Sequence, residues 1–226
     1  MTILSPSVLR ALERFHATHP WDHNAHYHPW IMRQLPRRYG RALDVGCGSG
    51  DLARLLARRS TSSVLGVDSD PAIVDRARAR EPASPAAPVT FSAVDAMTAP
   101  AEGPDGAYDV ITCVAVVHHL PYADALALFR RQLAPGGTLV VVGVARAESP
   151  VDHLLGMVAV PANVVMAWVK NRGRTAERPV AMTARTRAPE TGFAEVVRGA
   201  RRVLPGCRVR RRLFWRYTLV WRRPTR

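Results

Sequence analysis

The stretch Leu43-Asp44-Val45-Gly46-Cys47-Gly48-Ser49-Gly50-Asp51 runs from a short aliphatic segment straight into the helical pattern Asp51-Leu52-Ala53-Arg54-Leu55-Leu56-Ala57. Glycines at 46, 48 and 50 let the backbone turn tightly and approach a ligand with no Cβ in the way, and the helix start presents free N–H groups. A dinucleotide-binding turn needs its third glycine at position 51, where this chain has Asp51. A carboxylate there repels a pyrophosphate, so the turn suits a nucleoside ligand that carries no phosphate.

Around that turn short aliphatic runs alternate with helical stretches: RALDVG, DLARLLARR, SSVLGVD, DPAIVDRARAR and VTFSAV, then, after a loop bearing Pro and Gly, YDVITCVAVV, ADALALFRRQL and GGTLVVVGV. Near-continuous Val, Leu and Ile runs mark strands buried on both faces, as in a parallel sheet between helix layers. The expected fold is a doubly wound α/β sheet, and 226 residues suit one domain. Residues 1–40 form an N-terminal helical arm, with its helical pattern over 5–35, and residues 41–145 form the core. Residues 146–190 are an insertion after the fifth strand, and 191–226 hold a final helix and a strand pair. The pair is read from CRVRRRLFWRYTLVWRR, residues 207–223, where apolar and basic residues alternate with period two. Arg208, Arg210 and Arg212 then share one face, which exposure to water explains.

The strand after the glycine turn ends Val64-Leu65-Gly66-Val67-Asp68, placing a carboxylate where it can accept both hydroxyls of a ribose. The next strand ends Phe91-Ser92-Ala93-Val94-Asp95, a second carboxylate able to take a proton of an exocyclic amine. Asp51 and Asp70 read as turn or helix-cap residues. His118 and His119 directly follow the fourth strand at the crevice edge. An imidazole there can deprotonate a phenol, an alcohol or a carbon acid; loop capping or packing is the alternative.

Taken together, LDVGCGSG, GVD, VDAM, DVITCVAVVHHLP and LAPGGTLVVVG resemble the class I S-adenosylmethionine-dependent methyltransferases, especially the broad small-molecule group with His-His-Leu after the fourth strand. The resemblance covers about residues 20–145 and, more loosely, 190–223. It implies a seven-stranded, mostly parallel sheet completed by the terminal strand pair, and S-adenosylmethionine as cofactor. It implies that Gly46, Gly48 and Gly50 contact the methionine and ribose parts and that Asp44 orients the amino group through backbone or water. By the same resemblance Asp68 binds the ribose hydroxyls, Asp95 with Ala96 and Met97 holds the adenine, and Cys113 with Val114 lies beneath the sulfonium. In similar enzymes an arm such as Trp21–Trp30 folds over the cofactor, which points to Tyr27 and His28 near its carboxylate.

Residues 151–170 read as one kinked helix or two short ones split at Pro161. Placed as a lid over the crevice, this segment would line an apolar acceptor pocket with Met157, Met166 and Trp168; core packing, a dimer contact and a peripheral membrane contact are the other readings. His23, His26 and His28 do not share one helix face, and no metal site is expected.

The chain carries 32 basic and 18 acidic residues, a net charge of +14, and every basic residue except Lys170 is arginine. Residues 146–226 hold 18 of the bases against 5 acids. Such a field suits nucleic acid, an anionic membrane surface, an acidic substrate or a plain solvated face. A nucleic-acid acceptor is disfavoured, because Cys113-Val114-Ala115-Val116 lacks the Asn/Asp-Pro-Pro-aromatic element that grips a flipped base amine. Three scattered cysteines suggest neither disulfides nor zinc and fit a reducing cytoplasm. The N-terminus lacks an apolar signal core. The most apolar run, Leu154 to Val169, contains Pro161 and Asn163 and falls short of the roughly 20 residues of a spanning helix. The expectation is a cytoplasmic enzyme that methylates a small, hydrophobic acceptor. RNA methylation, and cofactor binding without methyl transfer, stand as alternatives.

Overall fold

A computed structural model describes residues 6–80, 87–98, 106–177 and 187–225. Residues 99–105 of the Pro- and Gly-bearing loop and residues 178–186 of the expected lid segment lie outside the described residues. The strands are β1 (Tyr39–Val45), β2 (Ser60–Asp68), β3 (Val89–Ala93), β4 (Tyr108–Val114), β5 (Leu133–Val144), β6 (Arg208–Arg212) and β7 (Arg216–Arg222). They form one seven-stranded sheet in the order β3-β2-β1-β4-β5-β7-β6. β1 to β5 pair in parallel, while β7 runs antiparallel to both of its neighbours. The chain therefore winds outward through β3 and restarts on the far side of β1 with β4. That switch point opens a crevice at the carboxyl ends of β1 and β4.

Alternation along β5 distributes the core. Leu139 and Val141 pack on one side with Leu126 and Phe129 of α5 (Tyr122–Gln132) and Val196 of α7 (Phe193–Val203). Val140 and Val142 pack on the other with Ile31 of α2 (His28–Gln34) and Leu52 and Leu56 of α3 (Asp51–Ala57). This is the two-sided burial that the continuous aliphatic runs indicate. In α4 (Pro71–Ala79), Asp70 is the N-cap and accepts the Ala72 N–H at 2.9 Å, with Pro71 in the first turn. The cap reading of Asp70 is thus borne out.

The strand pair lies at the sheet edge, where charged side chains discourage pairing with another chain. Arg208 and Arg210 are exposed as expected. Arg212 is not: its guanidinium sits 5.1 Å from the Trp30 ring centre and its Nε donates to the Thr218 hydroxyl, because Trp30 of α2 covers that end of the strand.

The N-terminal arm contains α1 (Pro6–Thr18), a 3-10 turn at Ala25–Tyr27 and α2. α6 (Pro150–Lys170) is one continuous helix of 21 residues, running through Pro161. Its start is a capping box in which the Ser149 hydroxyl accepts the Asp152 N–H and Asp152 accepts the Ser149 N–H. By length and composition it is long and apolar enough to cross a membrane, and it extends beyond the sixteen-residue run seen in the sequence. It packs against α1 and places Ala159 and Ala167 against Trp21 and Phe214.

Candidate functional site

The ends of β1, β2, β3 and β4 open into a cavity of about 720 Å³ at the switch point. The glycine turn forms its floor. Gly46, Gly48 and Gly50 all have positive φ, at 70°, 51° and 77°. A Cβ on Gly46 would lie 2.0 Å from Val116 Cγ2, whereas one on Gly48 would meet nothing within 4 Å, since Gly48 faces open space. Alanine at 46 combines a left-handed backbone cost with overpacking, and Gly46→Ala is expected to lower stability by about 3 kcal/mol, read from urea unfolding.

Register sets the first carboxylate. Asp44 of β1 lies opposite Thr112 of β4, whose hydroxyl donates to Asp44 Oδ1 at 2.7 Å. Asp44 is 2% exposed, and its Oδ2 is buried with no hydrogen-bond partner among the described residues while the residue lines the cavity. Burial pushes its carboxyl up to about 7 against the Thr112 hydrogen bond; the nearby Asp68 charge adds to the rise and the Ala53 backbone opposes it. Asp68, at the end of β2, accepts the Gly48 N–H at 3.0 Å on Oδ2 and the Asp70 N–H at 3.1 Å on Oδ1. It therefore braces the glycine turn while it lines the cavity. Past β3, Asp95 and Ala96 line the cavity, and Asp95 Oδ1 accepts the Met97 N–H at 2.7 Å.

The arm covers the other side. Asp22 Oδ1 accepts the N–H groups of Asn24 and Ala25, which starts the 3-10 turn and brings Asn24 and His28 to the cavity wall. Asn24 Oδ1 accepts from Arg216 at 3.1 Å, tying the arm to β7. Val114 at the end of β4 and Val116, His119 and Leu120 beyond it line the cavity together with Arg187, which is ion-paired with Glu190. Burial and the Arg187 charge lower the His119 imidazole from its ordinary value. His118 packs against it with ring centres 4.0 Å apart and planes tilted by 39°, and is not among the residues that line the cavity. Burial, His119 and Arg216 push His118 down to about 4, against the opposing effect of the Arg187 backbone.

Of the residues singled out from the sequence, His28, Asp44, Gly46, Gly48, Asp68, Asp95, Ala96, Val114 and His119 meet at this cavity. The others are not among the residues that line it, each for a packing reason. Tyr27 is buried between α2 and the sheet, and its hydroxyl donates to the Leu213 carbonyl at 2.9 Å. Gly50 turns the chain into α3, where a Cβ would strike Phe91 and Arg54 at 2.5 Å, and it is not among the residues that line this cavity. Met97 packs onto the larger core cluster. Cys113 is fully buried inside that cluster, and burial raises its thiol to about 12. Met157, Met166 and Trp168 do not line the cavity either. The small inward face of α6 turns Met157 and Trp168 to solvent, 50% and 57% exposed, while Met166 packs on the cluster of Trp21 and Phe214.

The sequence reading missed Asn24, Leu120 and Arg187 as site residues. Asp22 before Asn24 is an Asx-turn signal that marks where the arm bends. Arg187 has no motif around it, and only the tertiary fold brings it beside His119.

A methyltransferase-domain family model matches residues 42–137. An uncharacterised methyltransferase of Mycobacterium tuberculosis is 33% identical over 209 residues, covering 91% of this chain and 98% of that protein. A trans-aconitate 2-methyltransferase of Streptomyces avermitilis is 34% identical over 125 residues, 54% of this chain and 45% of its own length. Among solved structures, a Pyrococcus horikoshii protein superposes with a TM-score of 0.60 at 18% identity, covering 99% of this chain and 94% of the other. A SAM-dependent methyltransferase from Methanosarcina mazei gives 0.59 at 20% identity, covering 88% and 98%.

Proposed function

We propose, for a chain that belongs to the class I S-adenosylmethionine-dependent methyltransferases, that the methyl acceptor is a small molecule with an apolar body and one ionisable group, and that transfer is in line with His119 as the base. The observation that carries this reading is the pair of carboxylates flanking the glycine turn. Asp44 Oδ2, buried and without a partner, fits the amino group of the cofactor, and contact with that cation draws the Asp44 carboxyl back toward its ionised form. Asp68 keeps lone pairs for the two ribose hydroxyls beyond the one backbone N–H on each of its oxygens. Gly48 leaves room for the ligand where any side chain would project. Asp95 and Ala96 serve the adenine. When bound, S-adenosylmethionine supplies a methyl group made electrophilic by its sulfonium.

The remaining lining chooses the acceptor. Val114, Val116 and Leu120 offer apolar contact, while His119 supplies a proton acceptor and Arg187 a cation that an anionic acceptor would share with Glu190. An acidic proton on the acceptor passes to neutral His119, and Arg187 favours the oxyanion left behind. The trans-aconitate methyltransferases among the relatives, which by their name act on an anion, agree with the arginine. A panel of small phenols, hydroxy acids and carboxylates tests the reading by release of S-adenosylhomocysteine, and absence of turnover across such a panel by cofactor-loaded protein would count against it.

His119→Ala is expected to lower kcat about a hundredfold, at the low end for a base whose affinity for protons is itself reduced, with cofactor affinity unchanged. Because its value is lowered, His119 stays in the neutral, proton-accepting form throughout neutral pH, and the activity it supports declines only on the acid side of its ordinary value of 6.5. His118→Ala leaves kcat unchanged. Equal rates for both variants and the parent would remove the base and leave alignment as the mechanism.

A further inference from the structure

α6 is inside out for a helix on a water-soluble surface. Its inward face carries small or polar residues, Ala159, Asn163 and Ala167, all buried. Its outward stripe carries Val151, Leu154, Val158, Pro161, Val165 and Trp168 at helical spacing, and Leu154, Val165 and Trp168 are each more than half exposed. Trp215, 44% exposed, stands beside the helix and not on this stripe, its indole Nε1 3.7 Å from where a Cβ would sit on Gly156, which shares the inward face with Ala159 and Asn163. Phe214 and Trp215 hold left-handed backbones, φ 61° and 57°, which bulky residues adopt only under tertiary constraint. Phe214 is fixed by edge contact with Trp21 at 4.9 Å. The outward stripe contributes to no part of the cavity. At the end of the helix stand Lys170, Arg172 and Arg174, all exposed and, among the described residues, without an ion pair.

We propose that this face of α6 docks the enzyme on an anionic phospholipid surface, with the helix lying in the plane of the interface. The apolar stripe enters the acyl boundary, Trp168 takes the headgroup level that indoles favour, and the cations at the helix end meet lipid phosphates. Charge selects this occupant over a second copy of the chain, because a net charge of +14 with Lys170, Arg172 and Arg174 at the end of the stripe is drawn to an anionic surface, whereas two copies repel each other as wholes. The inward face selects lying over spanning. Asn163 Oδ1 accepts from Trp21 Nε1 at 2.7 Å and lies 2.9 Å from His23 Nε2, while its Nδ2 lies 3.0 Å from His16 Nε2. Withdrawal of the helix into a bilayer would break that cluster and leave a polar amide in hydrocarbon. The same cluster joins α6 to the arm that supplies Asn24 and His28 to the cavity, so a docked enzyme holds its cavity wall beside the membrane.

Flotation with vesicles of phosphatidylcholine, with and without phosphatidylglycerol, tests this at low and high salt. The expected result is binding to the phosphatidylglycerol vesicles that weakens at high salt. Leu154→Asp combined with Val165→Asp, and separately Trp168→Ser, are expected to lower that binding by at least about tenfold. Their S-adenosylhomocysteine affinity stays unchanged, which shows that the variants are folded. Serine at Lys170, Arg172 or Arg174 costs roughly fivefold each at low salt. Three results would overturn the proposal: no flotation with either vesicle, flotation indifferent to the aspartate variants, or a solution dimer that those variants dissociate.

Discussion

Asp68→Ala is expected to weaken S-adenosylmethionine binding by at least about a hundredfold. Two charge-assisted hydrogen bonds to the ribose hydroxyls, each contributing about 1.5–3 kcal/mol net, are lost together, and about 1.4 kcal/mol corresponds to tenfold in affinity. A second effect acts in the same direction. Asp68 also accepts the backbone N–H groups of Gly48 and Asp70, so its removal releases the turn that forms the cavity floor. Asp68→Asn separates the two contributions, because an amide of the same shape keeps one acceptor for the backbone while losing the negative charge and one hydroxyl contact. Titration calorimetry should place Asn between the parent and Ala. Unchanged affinity in Asp68→Ala would overturn the assignment of the whole cofactor site, since the glycine turn and Asp44 are read relative to it.

What the sequence made legible follows from local chemistry. Gly46 and Gly48 stand at positive φ at a strand end, a requirement so specific to glycine that three of them at alternate positions mark the turn. Asp68 and Asp95 were found because the carboxyl end of a parallel strand is fixed by its own aliphatic run. Cys113 shows where this reasoning stops. In a strand buried on both faces, alternation gives no sign of which neighbour faces a ligand, and Cys113 lies in the core while Val114 reaches the cavity. α6 shows a second limit: its pattern identifies an apolar helix, but burial of the larger apolar side would be the ordinary choice, and the helix instead packs through Ala159, Asn163 and Ala167. Arg187 depends on the path of the chain after that helix, for which no local signal exists.

Asp44 carries the second large effect, and it runs in opposite directions for stability and for binding. Its carboxyl binds a proton more tightly in the folded protein, at about 7, than in the unfolded chain, at 3.8. Between those values the folded state holds more protons than the unfolded one, so stability without ligand falls as pH rises through that window and levels off above it. The difference corresponds to about 4 kcal/mol at most. Asp44→Asn removes the charge and keeps an acceptor for the Thr112 hydroxyl, so near pH 8 the ligand-free variant should exceed the parent in stability by up to that amount, about 4 kcal/mol, with the gap closing toward pH 4. Cofactor binding should respond in the contrary sense. Above neutrality the variant loses a charge-assisted contact in a dry pocket, about a hundredfold in affinity. Below neutrality the parent itself weakens as Asp44 takes up a proton, and its binding releases that proton, whereas the variant is flat. Urea unfolding across this range, together with calorimetry in two buffers of different ionisation enthalpy, checks both halves. A variant no more stable than the parent at alkaline pH would mean that Asp44 is not held as a buried carboxylate destabilised by its surroundings. Such a residue has no structural reason to be an acid, and the burial that destabilises it without ligand is the same burial that makes its contact with a bound cation strong.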